Sequence, residues 1–173
     1  MSEVINNMKT RRSIRKYKPD MIPEDVLNRI IEAGTYAATG MGKQSPIIIA
    51  VTNKEIRDKF SKMNAEIMGV DSDPFYGAPV VLIVLADKSR PTCVYDGSLV
   101  MGNLMLEAEE QGIGSCWIHR AKEEFESEEG KEILKSLGIE GDYEGIGHCI
   151  LGYADGPAPK AAPRKDSYVY HID

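Results

Sequence analysis

The feature that most constrains what this chain can fold into is an unbroken apolar run at residues 80–86, with the sequence VVLIVLA. Branched aliphatic residues favour strands. A short apolar run without polar alternation is typical of a strand that is buried on both faces of a sheet. We therefore predict a buried strand here, around which the rest of the fold is arranged.

Other segments alternate between strand and helix patterns along the chain. Short β-prone segments predict strands at residues 47–51, 112–118 and 145–153. Helical spacing of apolar residues predicts helices at residues 23–38, 54–68, 96–110 and 123–137. No repeat or domain boundary is visible, so we expect one domain, residues 1–173, of the α+β or α/β class.

Three segments carry further expectations. The helix at 96–110 is apolar on almost every side until Leu106, so we expect it at the centre of the domain or in a subunit interface. The acidic residues between 123 and 129 are expected at a solvated helix start, near the positive end of the helix dipole. The segment 156–165 cannot hold regular structure, and a β-prone piece follows it at 168–172.

Composition excludes several classes of function. The formal net charge of -6 argues against non-specific binding to nucleic acid or to an anionic membrane. No apolar run approaches the roughly 20 residues that a membrane-spanning helix requires. The three Cys and three His residues are scattered without ligand spacing. We therefore expect no metal site, and reduced thiols typical of a cytoplasmic protein.

A cluster of basic residues near the N-terminus contrasts with the negative net charge of the chain. Arg11, Arg12, Arg15 and Lys16 lie close together, with the hydroxyl of Ser13 among them. Arginine presents a planar, permanently charged fork that matches phosphate oxygens, and a serine hydroxyl adds a further hydrogen bond. The cluster is therefore either a phosphate-binding site or a solvated positive face ahead of the first long helix.

Five segments, taken in order, resemble the flavin-dependent nitroreductase family. They are RRSIRKY at 11–17, KQSP at 43–46, GAP at 77–79, the helix at 96–106 followed by GIGSCWI at 112–118, and PRK at 163–165. The resemblance covers practically the whole chain. It implies an α+β fold, a three-layer α/β/α sandwich with a mixed, mainly antiparallel central sheet. It also implies a homodimer that swaps C-terminal segments and holds FMN where the two chains meet.

The resemblance further implies which residues hold the FMN phosphate. Arg11 and Ser13 match flavin-binding positions, with Arg11 at the phosphate. Arg12 fills a position that contacts the cofactor in relatives. Arg164 and Lys165 match the basic residues near the C-terminus that close on the phosphate. Two basic segments that are far apart in an acidic chain would thus converge on one dianion.

Other positions match the flavin ring and the second subunit. Arg15 would reach the pyrimidine edge or the ribityl chain, and Asn64 is a candidate for an internal Asn that many relatives use. Gln44 matches a loop residue offered by the other subunit, and Thr39 lies in the same loop. The segment expected to pack against the isoalloxazine, with a backbone N–H facing N5, consists of Trp117, Ile118, His119 and Arg120.

Two neighbouring aromatic residues, Phe75 and Tyr76, have two interpretations. In the first, they line the substrate pocket as aromatic walls. In the second, they anchor the turn-rich stretch at residues 71–79 as structural residues. The part of that stretch before the strand, residues 71–76, is also the candidate for a lid over an otherwise open pocket.

The function that the resemblance implies is that of an FMN-dependent NAD(P)H oxidoreductase. The flavin would carry the chemistry, so no catalytic side chain is assigned, and His119 is interpreted as structural. NADH or NADPH would give a hydride to the flavin, and a nitroaromatic, quinone or similar acceptor would then take the electrons by a ping-pong mechanism. The alternatives are a flavin-binding carrier or sensor without efficient turnover, another flavin reaction, and the binding of a different phosphorylated ligand.

Overall fold

The computed structural model describes residues 2–172 of the 173-residue chain. The helices within this range are α1 (Glu3–Thr10), α2 (Glu24–Thr35), α3 (Lys54–Met68), α4 (Cys93–Glu110), α5 (Ala121–Glu126) and α6 (Glu128–Ser136). The strands are β1 (Pro46–Val51), β2 (Val80–Asp87), β3 (Gly114–Ile118) and β4 (Tyr143–Gly152). Short 3-10 helices cover Gly40–Gly42 and Asp166–Tyr168. None of the helices in residues 2–172 is long and apolar enough to cross a membrane.

The four strands form one sheet in the order β1-β2-β4-β3, and each neighbouring pair is antiparallel. The apolar run predicted from the sequence becomes β2, which pairs with β1 on one side and with β4 on the other. Val81 and Ile83 point to one face of the sheet, Val80 and Leu82 point to the other, and all four are fully buried. The prediction of a strand buried on both faces is confirmed.

Helices cover both faces of the sheet. On one face, α3, α5 and α6 contribute Phe60, Phe125 and Leu134 to the core. On the opposite face, α2 and α4 contribute Ile30 and Leu104. The fold is therefore an α+β three-layer α/β/α sandwich, as the resemblance implies, and α4 is a central helix that also reaches the surface.

The segment between α1 and α2 runs along the β3 edge of the sheet. Ser13 forms a parallel bridge with Ser115 of β3, and Tyr17 forms an antiparallel bridge with Ala154 just after β4. The Ile14 N–H donates to the Ser115 carbonyl at 2.9 Å, and the Tyr17 hydroxyl donates to the Ile14 carbonyl at 2.8 Å. Both bridges lie outside the four strands, whose pairings are all antiparallel and not mixed, and they fix the basic cluster at one edge of the sheet.

The helix predicted at residues 123–137 is instead two helices, because the chain breaks at Ser127. This residue is extended (φ -70°, ψ 158°), and its hydroxyl accepts a hydrogen bond from the Gly130 N–H at 3.1 Å, which caps α6. A Cβ at position 130 would collide with the Glu124 carbonyl, so glycine lets α6 begin this close to α5. The sequence analysis also missed α1, whose first turn is capped by the Ser2 hydroxyl.

The C-terminal segment forms no strand within the described residues. Every described residue from Asp155 to Ile172 is exposed. The β-prone piece carries large apolar side chains that are at least 65% exposed, namely Tyr168, Val169, Tyr170 and Ile172. A β-prone segment forms a stable strand where it pairs with a sheet or packs on another surface. The exchange of this segment between two chains stays a prediction.

Candidate functional site

The two basic segments of the chain meet in one cleft of about 590 Å³. The residues that line it are Met8, Lys9, Arg11, Arg12, Ser13, Lys160, Ala161, Ala162 and Arg164. Five of them are cationic and none is acidic. The structure thus brings the three predicted N-terminal residues together with Arg164. Lys165 is not part of this lining, because its ammonium lies over the Tyr168 ring, 5.4 Å from the centroid.

The side-chain nitrogens of Arg11 and Arg12 differ in whether they have hydrogen-bond partners. Arg12 Nη1 donates to the carbonyls of Lys9, Thr10 and Arg11 at 2.7, 2.9 and 2.7 Å, so it closes the C-terminal end of α1. Arg11 Nη1 and Arg12 Nε, by contrast, are buried and have no hydrogen-bond partner among the described residues. Since buried donors are nearly always satisfied, we expect a group that accepts hydrogen bonds beside these atoms, and an anionic group would do so.

The predicted site arginines are not neutralised by carboxylates of the described chain. Elsewhere, cations are paired, as in Lys16–Asp155 at 2.7 Å and Arg29–Asp25 at 3.0 Å. Within residues 2–172, no ion pair involves the site arginines, which are Arg11, Arg12, Arg15, Arg120 and Arg164. Arginines without an ion-pair partner and buried donors without a hydrogen-bond partner fit a phosphate group.

A buried carboxylate organises the loop that contains Thr39 and Gln44. Asp96 accepts hydrogen bonds from the Gly40 N–H and the Ser45 hydroxyl, both at 3.0 Å. The Gln44 N–H donates to the Thr39 hydroxyl at 3.0 Å, and Gln44 takes a left-handed backbone (φ 50°) with its side chain exposed. In the single chain, this loop borders a second cleft, between α2 and β1, and not the basic one. Sequence reasoning placed Asp96 only at a helix start and missed this role.

The four residues predicted to pack against the flavin ring lie at the end of β3 and just after it, and they differ in burial. Trp117 is half-buried, and its indole packs directly on Gly147, where a Cβ would collide with the ring. The Ile118 side chain is buried in the core on the α3–α5 face, so it cannot line an open cleft. His119 is exposed, and Arg120 is half-buried with a left-handed backbone (φ 78°).

Behind this strand end lies a buried polar network that the sequence analysis did not predict. Asn64 of α3 donates to the His119 carbonyl at 2.9 Å and to Glu124 Oε1 at 2.7 Å. It also accepts a hydrogen bond from Arg120 Nε at 2.9 Å. Glu124 Oε2 lies 2.7 Å from His148 Nε2, and both residues are 0% exposed. The expectation of a solvated helix start is therefore wrong for Glu124, because α5 turns this acid into the core.

The aromatic pair at positions 75 and 76 is divided between core and surface. Phe75 is 0% exposed, and its ring centroid lies 5.1 Å from that of His148. It therefore anchors the loop, which is the structural one of its two interpretations, and its buried ring cannot form an open pocket wall. Tyr76 is exposed, with a left-handed backbone (φ 53°), and it keeps the pocket interpretation.

Asp73 holds the same loop against α3. Its carboxylate accepts hydrogen bonds from the N–H groups of Phe75 and Gly77, at 2.8 and 2.7 Å, and from the Ser61 hydroxyl at 2.6 Å. The Arg57 guanidinium lies 2.5 Å away. Burial opposes the ionisation of this carboxyl, but hydrogen bonds from Arg57 and Ser61 outweigh it, so the pKa of Asp73 is lowered.

The cysteines form no second chemical site within the described residues. Cys93, Cys116 and Cys149 are free thiols, and burial raises the pKa of the Cys149 thiol, which keeps it protonated and unreactive. In residues 2–172, no group of three or more His, Cys, Asp or Glu side chains is placed to hold a metal ion. The basic cleft and the end of β3 are therefore the candidate site.

Fold and cleft together define a class of protein: a three-layer α+β domain in which segments near the two termini build a cleft suited to a phosphate group. Residues 8–153 match the sequence profile described as the Nitroreductase family. That match covers most of the chain. The chain belongs to the nitroreductase family.

The chain is similar to a nitroreductase with bound FMN from Bacteroides fragilis, with a TM-score of 0.88, 29% identity and 100% coverage of both chains. It is 30% identical over 124 residues to a protein of Methanothermobacter thermautotrophicus with the provisional name NADH dehydrogenase/NAD(P)H nitroreductase. The aligned part covers 66% of this chain and 60% of that protein. The chain is 33% identical over 90 residues to an NAD(P)H-dependent FMN reductase of Bacillus subtilis, with 52% and 34% coverage. The chain thus spans less than two thirds of the length of these two curated relatives.

Proposed function

We propose that this chain is an FMN-dependent NAD(P)H oxidoreductase that passes electrons from the nicotinamide to a nitroaromatic, a quinone or a similar acceptor. The observation that carries the proposal is Arg11 Nη1, a buried donor without a partner in a cleft of five cations and no acid among the described residues. The FMN-bound relative of the same fold and the names of the curated relatives support FMN and NAD(P)H as the ligands.

Each part of FMN has matching groups in this chain. Arg11, Ser13 and Arg164 would hold the phosphate in the basic cleft, with Arg12 and Lys165 adding positive charge at the same end. The flavin ring would lie against the end of β3. The residues assigned to the ring and its pyrimidine edge are Arg15, Trp117, Ile118 through its backbone, His119 and Arg120.

Bound FMN would supply the redox chemistry, which is the transfer of two electrons from NAD(P)H to an acceptor. The residues of this chain bind and orient the ring, and Arg15 and Arg120 place positive charge beside it. Donor and acceptor need the same exposed ring face, so they bind in turn and we expect ping-pong kinetics. Tyr76 is the aromatic residue that we assign to the acceptor's side of the pocket.

We further propose that two copies form the working unit and swap their C-terminal segments. Large apolar side chains are exposed after α2, on α4 and in the C-terminal segment, and they are Tyr36, Met41, Tyr95, Leu99, Tyr168, Val169, Tyr170 and Ile172. β1 has a neighbour on one side only, so it offers an open edge to a β-prone segment. Thr39 and Gln44 of one copy would then reach the flavin of the other.

A visible absorption spectrum of freshly purified protein tests cofactor and reaction together. Flavin bands that bleach on anaerobic addition of NADH or NADPH are expected, and they would identify the donor. Flavin bands that never bleach would favour a carrier or sensor without efficient turnover. Colourless protein that takes up no added FMN would contradict the proposal.

A further inference from the structure

The turn that follows β3 is locally unfavourable. Arg120 takes a left-handed backbone (φ 78°, ψ 6°), which residues other than Gly, Asn and Asp rarely adopt. It is also the N-cap of α5, although its side chain makes no capping hydrogen bond and Ser, Thr, Asp or Asn is preferred there. A residue so poorly suited to its backbone persists where the surrounding structure holds it, and such residues cluster at ligand sites.

All the hydrogen-bonding groups of the Asn64 side chain are used in contacts with this turn and with Glu124. Its two N–H bonds go to the His119 carbonyl and to Glu124, and its oxygen accepts from Arg120 Nε. The amide is 0% exposed, so these bonds are shielded from water. One residue of α3 therefore fixes both the backbone and the side chain of the turn.

Glu124 is in turn held in place by His148 and by the residues that pack around that ring. Its second oxygen meets His148 of β4, whose ring is enclosed by Phe75 and Phe60 at centroid distances of 5.1 and 6.4 Å. A Cβ at Gly145 would collide with the backbone where α5 begins, so glycine lets β4 press directly on that helix. Glu124 is therefore held between His148 on one side and Asn64 on the other.

The guanidinium of Arg120 is anchored at one atom and unpaired at the others. Its Nε is hydrogen-bonded to Asn64, while its two terminal nitrogens make no hydrogen bond or ion pair within residues 2–172. Both terminal nitrogens reach solvent. This arginine is held in place with two donor nitrogens left for a ligand.

We propose that Asn64, Glu124 and His148 are positioning residues that hold Arg120 with its terminal nitrogens toward the flavin ring. This inference rests on the proposed function, in which the ring lies against the end of β3. In this assignment, the fixed cation of Arg120 favours the reduced, anionic ring. The buried network keeps the side chain from turning away into solvent.

The test compares the binding of FMN and of riboflavin, which has the same ring but no phosphate, to the apoprotein. Asn64→Leu removes the anchor at similar volume and should weaken both ligands by the same factor, about tenfold for a lost contact to a charged group. Arg11→Ala should weaken FMN and spare riboflavin. Equal factors for the two ligands therefore assign the effect of Asn64 to the ring and not to the phosphate.

Arg120→Asn separates the cation from the backbone, because Asn tolerates the left-handed conformation. The midpoint potential of the bound flavin should become more negative in this variant, since the reduced ring loses a positive neighbour. Ser61→Ala is the matched control. It lies on the same helix as Asn64 and loses a part-buried hydrogen bond, at 2.6 Å, to Asp73 and not to the turn. It should lower stability while leaving affinities and potential unchanged.

The outcomes separate this inference from the proposed function. A parent protein that binds neither FMN nor riboflavin would overturn both. A parent that binds both ligands, with Asn64→Leu and Arg120→Asn unchanged in affinity and potential, would overturn the positioning role alone. If Asn64→Leu does not fold, Asn64→Ala replaces it, because it removes the amide without adding an apolar side chain of similar size. The same parallel loss for both ligands is then expected, and an unchanged affinity for riboflavin would overturn the role.

Discussion

The two helical layers that cover the sheet are completed to different degrees in a single chain. In the layer of α3, α5 and α6, the polar side chains of Asn64 and Glu124 are fully buried and hydrogen-bonded. In the layer of α2 and α4, Tyr36, Tyr95 and Leu99 leave 79%, 72% and 51% of their surface exposed. We call the first layer closed, because its buried polar groups find their partners within the same chain. We call the second layer open, because its most exposed apolar side chains include two tyrosines, and we infer that they form an interface. Changes in the closed layer should therefore act on folding, and changes in the open layer on assembly.

Removal of the two arginines assigned to the phosphate should have the largest effect. Arg11→Ala combined with Arg164→Ala loses two charge-assisted contacts of about 1.5–3 kcal/mol each, so FMN affinity should fall roughly 10²- to 10⁴-fold. Fluorescence titration of the apoprotein with FMN measures this loss. Arg29→Ala is the matched control, because this exposed arginine pairs with Asp25 away from the cleft. A double variant that purifies with full flavin content would show the site assignment to be wrong.

Two acids of one acidic run should differ in their effect on the closed layer. Glu124→Ala leaves the buried groups of His148 and Asn64 without a partner, and it should lower the free energy of unfolding by about 3–5 kcal/mol. Glu128→Ala removes a side chain that is 89% exposed, and it should change the same quantity by less than about 0.5 kcal/mol. Urea denaturation of both variants gives the comparison. Two equally small effects would mean that the network does not stabilise this layer.

In the open layer, one introduced charge should weaken the association of two chains. Leu99→Asp places a carboxylate in the expected interface, and it should weaken the dimer by about 2–3 kcal/mol, the value of burying a leucine side chain. Met68→Asp is its counterpart on α3, since Met68 is 52% exposed against 51% for Leu99. Analytical ultracentrifugation at several concentrations should show dissociation for Leu99→Asp alone. Identical behaviour of the two variants would remove the contrast between the layers.

The smallest expected effect is the pH dependence that Asp73 contributes to the loop beside α3. Its pKa in the folded protein lies below the ordinary value of 3.8, so its stabilisation is fully present above that pH and is lost as pH falls through the lowered pKa. Asp73→Asn should therefore lower the free energy of unfolding by about 1–2 kcal/mol near pH 7. The difference between the two proteins should shrink in acid. A difference that stays constant from neutral to acid pH would contradict this role.

The features that the sequence predicted are those encoded by neighbouring residues. The apolar run that becomes β2 and the basic segment around Arg11 are both contiguous, and each can be interpreted without the rest of the chain. The break at Ser127 was missed, although a serine just before two acids is a signal for a new helix N-terminus. Once that break was overlooked, Glu124 was assigned to a solvated face.

The parts of the candidate site that could not be predicted depend on contacts between distant segments. Asn64 and Arg120 are 56 positions apart, and no local pattern announces the hydrogen bond that joins them. Phe75 is similar, because this loop residue packs against His148, which lies on β4 and 73 positions further along the chain. The convergence of Arg11 with Arg164 could be anticipated only through resemblance to a family. Local patterns define elements, and long-range contacts define the site.

The central claim is that a second copy and FMN together complete the open layer and the basic cleft. Native mass spectrometry of freshly purified protein tests both parts in one measurement. The expected species contains two chains of 19.1 kDa and two FMN molecules. A monomer without flavin, or a monomer that carries a full equivalent of FMN, would contradict the claim that the flavin is held where two chains meet.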